Sequence, residues 1–346
     1  MGVFKWPPVS DLLEVESGSR FLIREAKLGD WDHPGLLQDY FSSAAPGVGV
    51  DVEVTSIQAL LKRAFQPSVL VRLFAEAEDG ACGGLLLEDK AWDTSMLSVQ
   101  VRSLTVLASA PSQQARYATS LQLITNCLKH QREILGDCIF VRIPSDDPAL
   151  LRALAESGFD ALVPAVTLGK NLRGDSKLVL PLGIELGEVK RDEIDQVQRM
   201  SAVAFRWGRF TADMRLPREG VERLHGTWAR NCCFGAQADH VLVARENHQV
   251  LGFIALKFLM AREVRVGSIE LIAIGESSRG KGVGSALVAE GCKWFSRFAN
   301  YVVVRTELPN TPALRMYETQ GFRILNGSLY LSQHTLTAPS SIPITC

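Results

Sequence analysis

The stretch CIFVRIPSDDPALLRALAESGF, residues 138 to 159, aligns without a gap on YVVVRTELPNTPALRMYETQGF, residues 301 to 322, at a shift of 163. A chain that repeats itself over such a distance is built from two copies of one folding unit, because matching apolar patterns bury matching faces. At the same shift Arg116 falls on Arg279, and EAK at 25 to 27 falls on EVK at 188 to 190. With a few loop residues allowed, FAEAEDGACGG (74 to 84) matches VARENHQVLGF (243 to 253), and VRSLTVLA (101 to 108) matches VGSIELIA (266 to 273). The copies run over 20–172 and 178–333, joined by the polar segment GKNLRGDSK, with an N-terminal extension at 1–19 and a tail at 334–346. A length of 346 residues suits two domains of roughly 150 each.

Each copy reads as a strand and a helical stretch, then two strands joined by a polar turn, near Asn247 in the second copy, then a third strand at 265–274. A helix, a strand, a second helix and a last strand follow. Val283, Leu287, Trp294 and Phe298 recur with helical period, which predicts an amphipathic helix from Gly284 to Phe298. YVVVRT is a short buried strand. Thr311 or Asn310 then caps a helix with Pro312 in its first turn, and Gly321 stops it. The expected class is α+β, a mixed and mostly antiparallel central sheet flanked by helices.

A formal net charge of -1, with both signs mixed along the chain, leaves no footprint for nucleic acid or an anionic membrane. The seven cysteines are scattered without C-x-x-C spacing and read as free thiols of a reducing compartment, the adjacent pair Cys232 and Cys233 included. The opening MGVFKWPPVSD has prolines and an acid where a signal peptide needs an apolar run, and no apolar run approaches ~18 residues. The six histidines show no metal-ligand spacing. These features predict a soluble, cytoplasmic, metal-free protein.

The segment IELIAIGESSRGKGVGSALVAEG (269 to 291) runs from an apolar strand through a Gly-rich turn into a helix. Gly275-x-x-x-x-Gly280-Lys281 begins like a nucleotide-binding P-loop, but Gly282 stands where a hydroxyl would ligate Mg²⁺. The dinucleotide fingerprint fails too, because the glycines fall at 280, 282 and 284. What remains is a row of N–H groups at a helix N-terminus with Arg279 and Lys281 beside it, an anion site by dipole and geometry.

That element order, with Arg279-x-x-Gly282-x-Gly284 opening the helix, resembles the GCN5-related N-acetyltransferase (GNAT) superfamily, whose motif is Q/R-x-x-G-x-G/A. The resemblance implies two tandem GNAT-like domains and a diphosphate of acetyl-CoA, or of a longer acyl-CoA, held by Arg279, Gly280, Lys281, Gly282, Val283, Gly284 and Ser285. It implies no metal. Asn310 and Tyr317 match the later motif N-x-x-A-x-x-x-Y-x-x-x-G-F, with Ala313, Gly321 and Phe322 completing it. Seven residues are two helical turns, so both side chains share one face, ~10.5 Å apart along the axis. Along that face the pantetheine arm would run past Asn310 and Ala313, with Tyr317 protonating the departing thiolate. Backbone N–H groups near Ile272, Ala273 and Ile274 would hold the thioester carbonyl.

In the first copy the partners of Asn310, Tyr317, Gly282 and Gly284 are Asp147, Leu154, Thr119 and Leu121. Leu154 has no proton to give, and side chains on the turn keep its backbone from a diphosphate. The first copy is therefore read as a degenerate domain serving architecture or substrate binding, and the second as the catalytic one.

RFTADMRLPREGVERLHGTWARNCCFGAQADHVLVA (209 to 244) is similar to the R-F-x-x-D … L-Y-x-x-W-x-x-N-S segment of dTDP-fucosamine N-acetyltransferases and related sugar-nucleotide N-acyltransferases. WDTSMLSVQVRSL (92 to 104) resembles their W-D/E-x-x-F-F-G segment. Leu97 and Ser98 stand where F-G is usual, His225 where Tyr is usual, and Cys232 where Ser is usual. The resemblance implies N-acylation of a dTDP-linked amino-dideoxy sugar. Phe205, Trp207, Phe210 and Trp228 would stack on a base or sugar and Arg209 would pair with a diphosphate, or Phe210 and Trp228 anchor a helix to the sheet. Glu270, where the first copy has Thr105, is the candidate base, and Asp213 the second. The alternatives are acetylation of another amine (an aminoglycoside, a small metabolite or a protein N-terminus) and acyl-CoA binding without turnover. Oligomeric state stays open.

Overall fold

The two copies share a strand order, with the last two helices in matching places, and differ in the helices before them. The computed structural model describes residues 12–14, 20–27, 66–77, 80–130, 136–172, 183–261 and 264–334. The first copy contributes β1 (Leu12–Glu14), β2 (Arg20–Glu25), β3 (Val69–Ala77), β4 (Cys82–Asp89), α1 (Ala91–Leu97), β5 (Val101–Ser109), α2 (Gln113–His130), β6 (Cys138–Pro144), α3 (Pro148–Glu156) and β7 (Asp160–Asn171). The second contributes β8 (Glu185–Glu188), α4 (Ile194–Ala204), α5 (Arg209–Ala212), α6 (Arg218–Cys233), β9 (His240–Glu246), β10 (Gln249–Ala261), β11 (Val264–Ile274), α7 (Val283–Phe295), β12 (Tyr301–Glu307), α8 (Thr311–Thr319) and β13 (Arg323–His334). The helical stretch expected early in the first copy lies outside the described residues.

All thirteen strands join one sheet, in the order β1-β2-β3-β4-β5-β6-β13-β7-β12-β11-β10-β9-β8. The pairs are antiparallel except β5 with β6 and β11 with β12. The copies exchange their last strands: β13 pairs with β6 of the first copy, and β7 pairs with β12 of the second. Val141 faces Leu331 and Val304 faces Leu168, which are the same pair under the 163-residue shift. A local two-fold therefore runs between β13 and β7, and neither copy completes its sheet alone.

Sequence chemistry sets these elements. Asn247 and His248 take φ of 46° and 65°, as a two-residue type I′ hairpin turn between β9 and β10 requires. Along β10, Ile254 and Leu256 enter the core beneath α7, whereas Phe253 and Ala255 enter the core beneath α4 and α6. Period-two alternation thus makes the strand apolar on both faces. α7 buries Val283, Leu287, Val288 and Phe295; at ~1.5–3 kcal/mol each this outweighs the ~1 kcal/mol that each interior glycine, Gly284 and Gly291, costs a helix. The helix ends at Phe295 and leaves Phe298 56% exposed, so its apolar stripe is shorter than the periodicity predicts.

Two segment boundaries move. Gly169, Lys170 and Asn171 belong to β7, opposite Tyr301, Val302 and Val303 of β12, so the connection between copies starts later than the composition suggests. His334 ends β13 and belongs to the sheet, not to a tail. Leu12–Glu14, within the expected extension, forms edge strand β1. Among the described residues no helix is long and apolar enough to cross a membrane.

Candidate active site

The site begins with a defect in one strand pair. Ala255 of β10 faces Leu271 and Leu256 faces Ile269, so Glu270 is the extra residue of a β-bulge. A bulge bends its strand and re-aims a side chain. Here β11 leaves its parallel neighbour: pairing with β12 spans only Gly267 to Ile269 against Val302 to Val304. Among the described residues, the β12-facing edge of β11 has no ladder partner beyond Ile269. Ile272, Ala273 and Ile274 thus line an opening beside this edge. Glu270 lines it too, with Ser268 Oγ donating to its Oε1 at 2.7 Å.

Below the opening lies the Gly-rich turn. Gly280 and Gly282 have φ of 74° and 80°, a left-handed backbone that side chains adopt only with strain. Gly282 is the N-cap of α7 and Gly280 faces open space. The first amides of α7 consequently point outward without a side-chain cap, the arrangement that attracts an anion. Arg279 lies beside them, its Nε donating to Ile274 O at 3.3 Å with 41% of its side chain exposed. A Cβ on Gly284 would stand 2.8 Å from Met316 Sδ, so this glycine lets α8 close against α7.

On α8, Asn310 is the N-cap: its Oδ1 accepts from Ala313 N at 3.4 Å and its Nδ2 donates to Thr306 Oγ1 at 3.2 Å. Tyr317 is 1% exposed, packs 5.4 Å from the Phe322 ring, and lines the cavity. Burial pushes its phenol well above the ordinary value, with Cys292 and Glu307 adding to the effect, so the hydroxyl keeps its proton.

The first copy differs at each of these points. Its β4–β5 ladder runs from Cys82 opposite Ser109 to Asp89 opposite Arg102 without a shift, and Thr105 simply faces Leu86. Under the repeat the second-copy turn corresponds to the first turns of α2, which is helical from Gln113 onward. Amides that would meet a phosphate are spent on intrahelical bonds, and the Thr119 hydroxyl returns to Ala115 O at 2.8 Å. Arg116 crosses the gap to Asp147, the N-cap of α3, with Nη2 to Oδ2 at 2.8 Å.

Residues of both copies line one cavity of about 1710 Å³. It contains every expected acyl-CoA residue except Lys281, which is exposed outside its lining. Arg209, Phe210 and Trp228 line the far side. Arg209 lies 4.3 Å above the Phe210 ring and 5.4 Å from that of Tyr330. Phe210 is 4% exposed and meets Phe140 edge to face at 5.2 Å. It therefore anchors α5 to the first copy while presenting a margin to the cavity, and Trp228 likewise packs between two cores.

Asp213 is elsewhere. It is not among the cavity-lining residues; its side chain is 1% exposed, accepting from Ser332 Oγ and His334 Nε2 at 2.7 Å each and from Arg215 Nε at 3.3 Å. Burial alone would push its carboxyl up, but the hydrogen bonds from His334 and Ser332 hold it well below the usual range. Asp213 is thus a clasp between the α5–α6 connection and β13. Cys138, Asp213 and His334 bring possible metal donors within 4.8 Å of one another, yet the carboxylate is already shared among His334, Ser332 and Arg215.

The segment at 92–104 supports the site from behind. α1 packs on α6 with Leu97 fully buried, and Arg223 Nη2 donates to Ser98 Oγ at 3.1 Å. Ser98, at the position where glycine is usual, has φ of 59° as the C-cap of α1, which explains why a glycine suits it.

Among the cavity residues that sequence reasoning gave no role are Arg142, Arg305, Glu307 and Tyr330, and His225 was noted there only as a departure from a motif. His225 is 5% exposed, and burial, with Arg209 beside it, lowers its imidazole to about 4. Burial raises the Glu307 carboxyl. A signal existed for two of them, since Arg142 and Arg305 are the same arginine in the aligned repeats.

Residues 202–322 match the model of the Acetyltransferase (GNAT) family. The chain is 24% identical over 249 residues, 69% of its length and 80% of the relative's, to the spore coat polysaccharide biosynthesis protein SpsD of Bacillus subtilis (strain 168). A GCN5-related N-acetyltransferase from Sphaerobacter thermophilus superimposes with a TM-score of 0.60 at 14% identity, covering 93% of this chain and 98% of that one. A tandem GNAT protein from the clavulanic acid biosynthesis pathway does so with 0.55 at 13% identity, covering 93% and 100%. The bulged and splayed strand, the Gly-rich turn and the buried tyrosine lie within residues 202–322, which match the GNAT family model, and the chain shares the fold of these GNAT structures, the tandem one included.

Proposed function

We propose that the second copy transfers an acyl group directly from acyl-CoA to the amine of a dTDP-linked amino-dideoxy sugar, and that the first copy contributes to acceptor binding. The observation that carries this reading is the asymmetry between clefts: one bulged, glycine-lined and open, the other regular and closed by Arg116 and Asp147. The residues fit CoA, because outward amides at Gly282 to Gly284 and the Arg279 guanidinium match a diphosphate without a metal. Bound acyl-CoA supplies a thioester activated for attack. The free edge of β11 at Ile272 to Ile274 offers N–H groups to the carbonyl oxygen as charge develops there. Glu270, re-aimed by the bulge, accepts a proton from the acceptor ammonium, directly or through water. Tyr317, kept protonated by burial, gives its proton to the departing sulfur.

The name of the Bacillus subtilis relative, a polysaccharide biosynthesis protein, supports a sugar acceptor. An acyl-CoA co-substrate and thiols such as Cys127, Cys232 and Cys292, which form no disulfide, suit a cytoplasmic location. The test incubates the chain with acetyl-CoA and a panel of dTDP-amino sugars and follows thiol release. Turnover with at least one sugar is expected; turnover only with aminoglycosides or peptides would overturn the acceptor. Glu270→Gln is expected to lower kcat by about 100-fold, and an unchanged kcat would remove it as the base.

A further inference from the structure

The exchanged strands carry polar groups that acyl transfer does not use. Cross-strand partners share a sheet face, so register sets three rows on the cavity floor. Arg142 stands opposite Tyr330; Pro144, Ser328, Ala165 and Glu307 follow one another across β6, β13, β7 and β12; and Arg305, Thr167 and Asn326 form the third row. Arg209 reaches the same place from α5, 5.4 Å from the Tyr330 ring.

Two observations show what this floor lacks. Ser328 is 7% exposed and lines the cavity, yet among the described residues its hydroxyl has no hydrogen-bond partner; its flanking partners Pro144 and Ala165 have no polar side chains. An orphaned buried hydroxyl calls for a ligand. Three guanidinium groups also act on the floor. Burial pushes the Tyr330 phenol up, but Arg209, Arg305 and Arg142 together hold it below its ordinary value. Among the described residues neither Arg209 nor Arg305 forms an ion pair, and Glu307, the carboxylate both of them feel, is itself raised by burial.

We propose that Arg142, Arg209 and Arg305, with Tyr330 and Ser328, bind the diphosphate of a nucleoside-diphosphate acceptor at the seam of the two copies. The site is separate from the turn at 279–285, and it rests on the acyl-transfer reading only in giving this phosphate to the acceptor rather than to CoA. It assigns the first copy a role, because Arg142 and the strand beneath Thr167 come from it. Guanidinia from three elements, β6, β12 and α5, suit two linked phosphates, and the buried hydroxyls supply neutral donors.

The test titrates dTDP, and separately inorganic pyrophosphate, into the full chain saturated with CoA. Both are expected to bind. Arg142→Ala and Arg305→Ala should each weaken them about tenfold or more and Ser328→Ala about threefold, with CoA affinity unchanged within about twofold. Arg142 and Arg305 are exposed, and thermal unfolding of these variants, expected to match the parent, separates lost binding from lost fold. Absence of binding to the CoA-saturated chain, competition with CoA for a single site, or indifference to Arg142→Ala would each overturn the proposal. If arginine-dependent dTDP binding persists while no amino sugar is acylated, the acyl-transfer reading fails and this site stands. Turnover of an unphosphorylated amine without dTDP binding would be the reverse.

Discussion

Arg116 and Asp147 are joined at 2.8 Å across the first cleft, while their counterparts Arg279 and Asn310 bond elsewhere, one to Ile274 O and the other to Thr306 and the first turn of α8. Changing a carboxylate to an amide at one cap position separates a closed cleft from an open one. An aspartate at 310 would pair with Arg279 and repel a phosphate; asparagine caps the helix equally well without either effect.

Asp147→Ala should therefore be a stability variant. It removes the cap of α3 and leaves Arg116 without its carboxylate, in a pair whose acid is 5% exposed. A loss of about 2–4 kcal/mol is expected by urea denaturation, with acyl-CoA affinity unchanged within about twofold. A large drop in CoA binding would mean that the first cleft also takes the cofactor.

Gly284→Ala tests the seam between α7 and α8. The added methyl would meet Met316 Sδ at 2.8 Å, and Met316 immediately precedes Tyr317. Displacement of α8 should lower kcat about tenfold or more while the fold survives. Unaltered turnover would show that α8 does not position the chemistry.

Tyr317→Phe keeps a buried ring of nearly the same shape, so the fold should persist. If the phenol is the acid, kcat falls about 100-fold and the Kd for acyl-CoA changes by less than about twofold. Burial raises this phenol above its ordinary value, so its protonated form persists through neutral pH and into the alkaline range. The parent's pH–rate profile should show no descending limb from Tyr317 below about pH 10. Equal kcat for Phe and Tyr enzymes would remove the residue from the mechanism.

The repeat, the turn near Asn247, the cap of α8 and the glycine turn were legible because each is a local pattern with a local cause. Strand exchange was not legible: β7 and β13 have the same pattern, and either can satisfy the edge of β6 or β12, so only the three-dimensional ladder decides. The bulge at Glu270 was hidden likewise, since a bulge is a property of two strands in register. Asp213 attracted attention as an acid beside Arg209 and Phe210 in sequence. One residue beyond α5, it turns away from the cavity into the His334 clasp, a partner 121 positions distant that no spacing rule reaches. Arg142 and Arg305 were visible as identical repeat positions, but their shared floor exists only because the strands exchange.

His225 links the Arg209 side of the cavity to the pH dependence of folding. Burial, with Arg209 beside it, lowers its folded value to about 4, against roughly 6.5 when unfolded. Between those values the unfolded chain binds more protons, so stability rises with pH. The contribution is complete above about pH 6.5 and is lost as pH falls toward about 4, amounting to about 3 kcal/mol across that window. The result should appear as a falling urea midpoint between pH 6.5 and pH 4.5 that is flatter in His225→Gln. Ser201 Oγ donates to the backbone carbonyl of residue 225 at 2.9 Å, a bond the substitution leaves in place, so the variant tests the imidazole alone. Parallel midpoint curves for parent and variant would show that the imidazole does not resist protonation in the folded chain, and that the Arg209 guanidinium is not close enough to add to the effect of burial.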